Sequence, residues 1–181
     1  VNHLADGSAQ HSSWCTAKGR MLASFIFYHD GADYRTLLSA DLLAATQKRL
    51  QIYVLRSKVK LTDLSTSHEF IGLSGPQAEA ALTKAGLPNP AKPMDAVSFA
   101  NGTVIRLDDA RLIIIVAAEA APELWKALAA TARPVGTPAW HWLDIRAGIP
   151  LITEATKEAF VPQMANFDKI TTALKQWGAS A

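Results

Sequence analysis

Residues 140–166 read WHWLDIRAGIPLITEATKEAFVPQMAN, and they say more about this chain than the rest of it together. It opens as a short helical pattern with Trp140, Leu143 and Ala147 on one side. Gly148 and Pro150 stop that helix. An extended run is expected to follow, carrying Pro162, Gln163 and Asn166, because proline makes such a run stiff and poor in backbone donors. Tryptophans beside an arginine and two carboxamides suit a flat heterocycle with polar edges. Its faces stack on indole and its edges find hydrogen-bond partners. A plain packed helix and strand has the same composition, so the residues alone leave both readings open.

Outward from this stretch, the second half of the chain is a succession of short elements. Gly75-Pro76 opens a helix running to Ala85, with Gly86 placed to end it. LPNPAKP is a stiff loop. Strands are expected at residues 96–100, 103–107 and 111–117, separated by Asn101-Gly102 and Asp108-Asp109. The longest apolar run, residues 112–118, is too short to span a membrane and reads as a buried strand. Pro122 suits the first turn of a helix carrying Leu124, Trp125 and Leu128. The first half has the same loose order. Strands are expected at 12–16 and 20–29, joined through Lys18-Gly19, and at 34–40 after the Asp30-Gly31 turn. A helix capped by Ser39 or Asp41 carries Leu43, Leu50 and Val54, and strands follow at 59–64 and 69–73. Antiparallel hairpins covered by one or two helices in each half make an α+β fold.

Bulk properties narrow the function classes. At 181 residues the chain buries a substantial core, and 49% hydrophobic with 19% charged residues is ordinary for a globular protein. A net charge of +2 does not by itself argue for nucleic acid. The cluster Lys48, Arg49, Arg56, Lys58 and Lys60 reads as the wet face and C-terminal end of one helix, with no aromatic interleaving, so no direct nucleic-acid partner is expected. The lone Cys15 forms no internal disulfide and, in a strand, is expected to be buried and inert; this fits a cytoplasmic protein. The opening VNHLADGSAQ shows no export signal. Five histidines (His3, His11, His29, His68, His141) and Cys15 lack metal-site spacing, so no bound metal is expected.

The motifs resemble a known family. W-x-W-L-D-I-R-A-G-I-P followed by F-V-P-Q-M-A-N is similar to the signature segment of the YgfZ-type folate-binding proteins, relatives of the aminomethyltransferase (T-protein) of the glycine cleavage system. Trp14-Cys15-Thr16-Ala17-Lys18-Gly19-Arg20-Met21 resembles the family's C-x-A-K-G-R/K-M block, and Arg56-Ser57-Lys58-Val59 its F-S-K-V stretch. The resemblance covers most of residues 1–170. It implies two intertwined subdomains of mostly antiparallel sheet with covering helices around a central folate channel.

It also implies site residues. Trp140 stands where a tryptophan contacts folate, and Arg146, Gln163, Asn166 and Arg20 complete the candidate cofactor-binding set. The T-proteins carry a glutamate at the place of Arg146. Arginine has five donors and no acceptor, so it cannot take hydrogen bonds from a pterin; it could hold a carboxylate or face solvent. Lys18 and Arg20, in a hairpin connection, could meet the glutamate tail of a folate. The T-protein's catalytic aspartate falls near Thr46, which cannot serve as a carboxylate. No catalytic residue is therefore assigned.

The implied role is a tetrahydrofolate-binding accessory protein, expected to be monomeric and free of membrane. It would support iron–sulfur cluster maintenance and tRNA modification, with iron–sulfur enzymes as partners. The alternatives are a glycine-cleavage aminomethyltransferase and a ligand-free interaction module. After Asn166 the family runs into a cysteine motif, whereas here residues 169–181 read KITTALKQWGASA. A divergent tail at 171–181 without the family's C-terminal barrel is expected, as is a fragment or a set of ordered pieces joined near 168–172.

Overall fold

The computed structural model describes residues 4–54 and 58–167. Arg56 and Ser57 of the third motif, the tail at 171–181 and the junction expected near 168–172 lie outside them. Seven strands and four helices alternate along the described chain, in two antiparallel-rich sheets, and the α+β expectation holds. The chain divides into two compact units, each assembled from three separate segments.

The first unit comprises residues 1–9, 28–35 and 63–140. Its centre is a four-stranded sheet of β4 (His68–Ser74), β5 (Ala96–Phe99), β6 (Gly102–Arg106) and β7 (Arg111–Ala117), in the order β4-β7-β6-β5. All three pairings are antiparallel, with Gly72 opposite Ile113 and Ser74 opposite Arg111. Alternation along the strands sends Ile71, Leu73, Val104, Leu112, Ile114 and Val116 to one face. That face forms a core with Ala78, Ala81 and Leu82 of α2 (Ala78–Lys84) and Leu128 of α3 (Ala121–Ala129). Each fully buried aliphatic side chain contributes about 1.5–3 kcal/mol. Pro122 sits in the first turn of α3, as its fixed φ favours. Gly86, at φ 69°, closes α2, with Leu87 N–H on the Leu82 carbonyl (3.0 Å).

Polar links tie the 28–35 segment to this sheet. Ser98 Oγ donates to Asp30 Oδ1 (2.9 Å), and Asp30 pairs with Arg35 (2.9 Å). Arg35 Nη1 lies 3.2 Å from His68 Nε2. Arginine can only donate, so Nε2 accepts and Nδ1 carries the hydrogen, given to Ser67 Oγ at 2.9 Å. Tyr28 is buried, which pushes its phenol up from the ordinary value.

The second unit comprises residues 10–27, 36–62 and 141–181. It contains most of the sheet β1 (Ala9–Cys15), β2 (Met21–Asp30) and β3 (Asp33–Leu37), ordered β1-β2-β3, and α1 (Ala40–Val54). Its core joins Met21, Ala23, Phe25, Leu42, Ile152 and Phe167, with Trp14 and Cys15 against its edge. The buried residues of α1 are Leu42 and Thr46; Leu43, Leu50 and Val54, expected inside, are only half-buried.

The strand expected at 59–64 is absent: Val59 and Lys60 are exposed, and the segment is held by Gln47 Nε2 on the Leu61 carbonyl (3.2 Å). Apolar alternation makes a strand only where a neighbour accepts its ladder bonds. The run after Gly148 is not simply extended either. It contains a 3-10 turn at Glu154–Thr156 and a further turn over residues 162–166.

Candidate functional site

Trp140 lies in α4 (Thr137–Ala147) and is counted with the first unit. Its indole rests on β4 at Gly72. A Cβ built on that glycine would come within 2.4 Å of the ring's Cε3 and 2.5 Å of its Cζ3. Any larger residue at this position would have to displace the ring. The guanidinium carbon of Arg111 stands 5.8 Å from the ring centroid. Arg111 is buried and held in turn by Asp108, Nε to Oδ2 2.8 Å. Burial disfavours the Asp108 carboxylate, but the Ala110 N–H and Arg111 outweigh this and leave its pKa below the ordinary value. Trp140 is thus half-buried, on a floor made by the absence of a side chain, with a fixed cation at its flank.

The other four candidate residues belong to the second unit. No residue of α4 is fully buried, because Trp140, Trp142, Leu143 and Ile145 point round the helix instead of along one stripe. Trp142 is 54% exposed, and Arg146 turns back over it, its guanidinium carbon 4.9 Å from the centroid. This one-turn spacing uses Arg146 as a cation on its own helix's indole.

Gly148, at φ 66°, ends α4 in the left-handed region. Its N–H bonds the Ile145 carbonyl (3.0 Å), and the Ile149 N–H bonds that of Asp144 (3.0 Å). Asn166 repeats this closure. At φ 58° it ends the 162–166 turn, with Phe167 N–H on the Pro162 carbonyl (2.9 Å). Its Nδ2 donates to the Gly148 carbonyl at 3.4 Å, joining the two closures. Gln163, in the same turn, is exposed. Arg20, after the β1–β2 connection, donates from Nη1 to the Ala159 carbonyl (3.0 Å).

The geometry therefore brings Asn166 to the end of α4 and engages Arg146 and Arg20 within their own unit. Sequence reasoning missed Gly72 and Arg111. A glycine inside an otherwise apolar strand was the available signal for the first, since it often marks a close approach of another group. Arg111 gave none.

Cys15 is half-buried, and burial pushes its thiol above the ordinary value despite a contact with Ser13. Asp41 accepts the Glu154 N–H (2.9 Å), and the Ser39 hydroxyl, followed by that N–H, holds its carboxyl below the ordinary value. It is the only acid in α1; Thr46 is buried on the same helix. No helix among the described residues is long and apolar enough to cross a membrane.

No family model matches the chain. It is similar to the tRNA-modifying protein YgfZ of Yersinia pestis (strain Pestoides F), 28% identical over 158 residues that cover 86% of this chain and 48% of that protein. The tRNA-modifying protein YgfZ of Photobacterium profundum is 29% identical over 159 residues, covering 86% of this chain and 46% of the relative. The chain thus spans about half the length of the curated relatives it matches. In fold it is similar to the crystal structure of the glycine cleavage system aminomethyltransferase T from Bartonella henselae. The TM-score is 0.62 at 20% identity, covering 70% of this chain and 36% of that one. The expected resemblance to YgfZ-type proteins and likeness to the aminomethyltransferase fold hold.

Proposed function

We propose that this chain is the tetrahydrofolate-binding part of a YgfZ-like accessory protein of tRNA modification. The observation that carries this reading is the likeness to relatives named tRNA-modifying protein YgfZ along 86% of the chain. The fold shared with a glycine cleavage aminomethyltransferase supports the folate part. The residues present fit such a ligand at one point: Trp140, seated against β4 at Gly72 and half-buried, offers an indole to a pterin. Tetrahydrofolate would supply one-carbon chemistry; Trp140 would supply its seat. Arg146 and Asn166 bind their own backbone and helix, which favours positioning over ligand contact for both.

The role is non-enzymatic. An aminomethyltransferase needs an acid near the reacting folate nitrogen, and α1 offers Thr46 and an Asp41 committed to the Glu154 N–H. The reading extends to a cytoplasmic protein acting with iron–sulfur enzymes. Titration of the full chain with tetrahydrofolate tests it by calorimetry. Trp140→Ala is expected to weaken binding at least about tenfold, as loss of a stacked aromatic does, while Trp142→Ala leaves it unchanged. Absence of heat with the wild type, or equal affinity in Trp140→Ala, overturns it.

A further inference from the structure

Residues 42–62 carry five cations, Lys48, Arg49, Arg56, Lys58 and Lys60, and no carboxylate. The rest of the chain then holds 13 cations against 16 carboxylates, a net charge of −3. The positive charge is therefore one local field on a mildly acidic protein. Compensation of the α1 dipole does not explain it, since the last turn of α1 contains no basic residue. Among the described residues none of Lys48, Lys58 and Lys60 has an ion-pair partner, and all three are exposed.

Tyr53 lies inside this run of cations, contrary to the expectation of no interleaved aromatic, and the fold fixes its ring. Trp14 arrives from β1 with one side against the core of the second unit, and its ring meets Arg49 of α1, 5.3 Å from guanidinium carbon to centroid. Tyr53, one turn beyond Arg49, packs edge-on to the same indole at 6.4 Å and 74°. Its ring is held yet 66% exposed, as is neighbouring Ile52. The Gln47–Leu61 hydrogen bond ties the segment that carries exposed Lys60 to this helix. Exposed cations now interleave with a fixed, solvent-facing aromatic ring.

We propose that this face of α1, built from Lys48, Arg49, Tyr53 and Lys60, binds a single-stranded polynucleotide. The cations track phosphates, and a base stacks on Tyr53, which Trp14 holds in place. An acidic peptide would use the charges and leave the ring idle, so the aromatic ring favours bases.

The test is fluorescence anisotropy of the full chain with a labelled oligouridylate about 15 nucleotides long, matched to the span of one such groove. Binding is expected to weaken with salt, with a log–log slope reduced by about 0.7 for each phosphate contact removed. Lys48→Glu with Arg49→Glu should lower both affinity and slope, whereas Lys84→Glu with Lys92→Glu should change neither. Tyr53→Ala should weaken binding about five- to a hundredfold, and Tyr53→Phe should restore it. The deoxyoligonucleotide of the same sequence separates an RNA from a DNA ligand. Failure to bind either strand at low salt overturns the proposal. So does an unaltered Tyr53→Ala, or polyglutamate competing as well as the oligonucleotide, each of which would leave a plain electrostatic surface. Circular dichroism establishes that every variant is folded.

Discussion

Gly72 has no side chain, and Trp140 occupies the room that this leaves. Gly72→Ala is expected to drive the indole off β4. Overfilling a packed contact costs about 1–3 kcal/mol, and the displaced ring should be quenched more readily by acrylamide. If Trp140 seats a pterin, the same variant loses folate; if it does not, the quenching changes and ligand binding does not. Unchanged emission and stability would show that the contact is slack. Asn166 is a second such position. Asparagine tolerates the left-handed region and β-branched residues do not, so Asn166→Gly should cost little and Asn166→Val about 1–2 kcal/mol in urea unfolding. Equal stability of the two would remove the argument. Neither role was legible in the residues themselves. Asn166 read as an amide for a ligand edge, and its backbone angle, set by the 162–166 turn, decides how it is used. Trp140 was legible as a candidate, but its glycine floor comes from a strand some seventy residues away.

Elements were read well where their own residues determine them. The hairpins around Asn101-Gly102 and Asp108-Asp109, the Pro122 helix and the Gly86 and Gly148 stops follow from turn and cap chemistry. Errors arose where a partner decides. The buried side of α1 is centred on Leu42 and Thr46 because the core of its unit approaches there, and residues 59–64 lack a neighbouring strand. The join between β6 and α2 carries a prediction. Arg106, almost wholly buried, bonds Glu79 (2.7 Å), Asn89 (2.9 Å) and the Pro90 carbonyl (2.6 Å). The hydrogen bond from Arg106, with its charge, holds the Glu79 carboxyl below the ordinary value. A lowered folded-state pKa contributes stability that is complete above the unfolded value and lost as pH falls through the folded one. Stability should therefore decline as acid is added below the usual carboxylate range, and Glu79→Gln should flatten that decline. Parallel pH profiles of wild type and variant, followed by thermal unfolding, would show that the pair contributes nothing.

At the scale of the whole molecule, the α+β class and the succession of hairpins and helices were legible because alternation and turn residues repeat in both halves of the chain. The division into two units, each gathered from three segments, was legible only through resemblance, since no local pattern tells a strand that its two ends are counted with different units. The crowding at Gly102 was equally invisible. A Cβ there would fall 1.9 Å from the Ile115 carbonyl oxygen and 3.0 Å from the Val116 Cα, both backbone of the central strand β7. Asp109, at the next hairpin tip, is exposed. The two tips are therefore unequal as handles for chemistry. A spectroscopic label or inserted epitope belongs at 109, where solvent can receive it; at 102 the same graft would wedge apart the strands that carry the first unit.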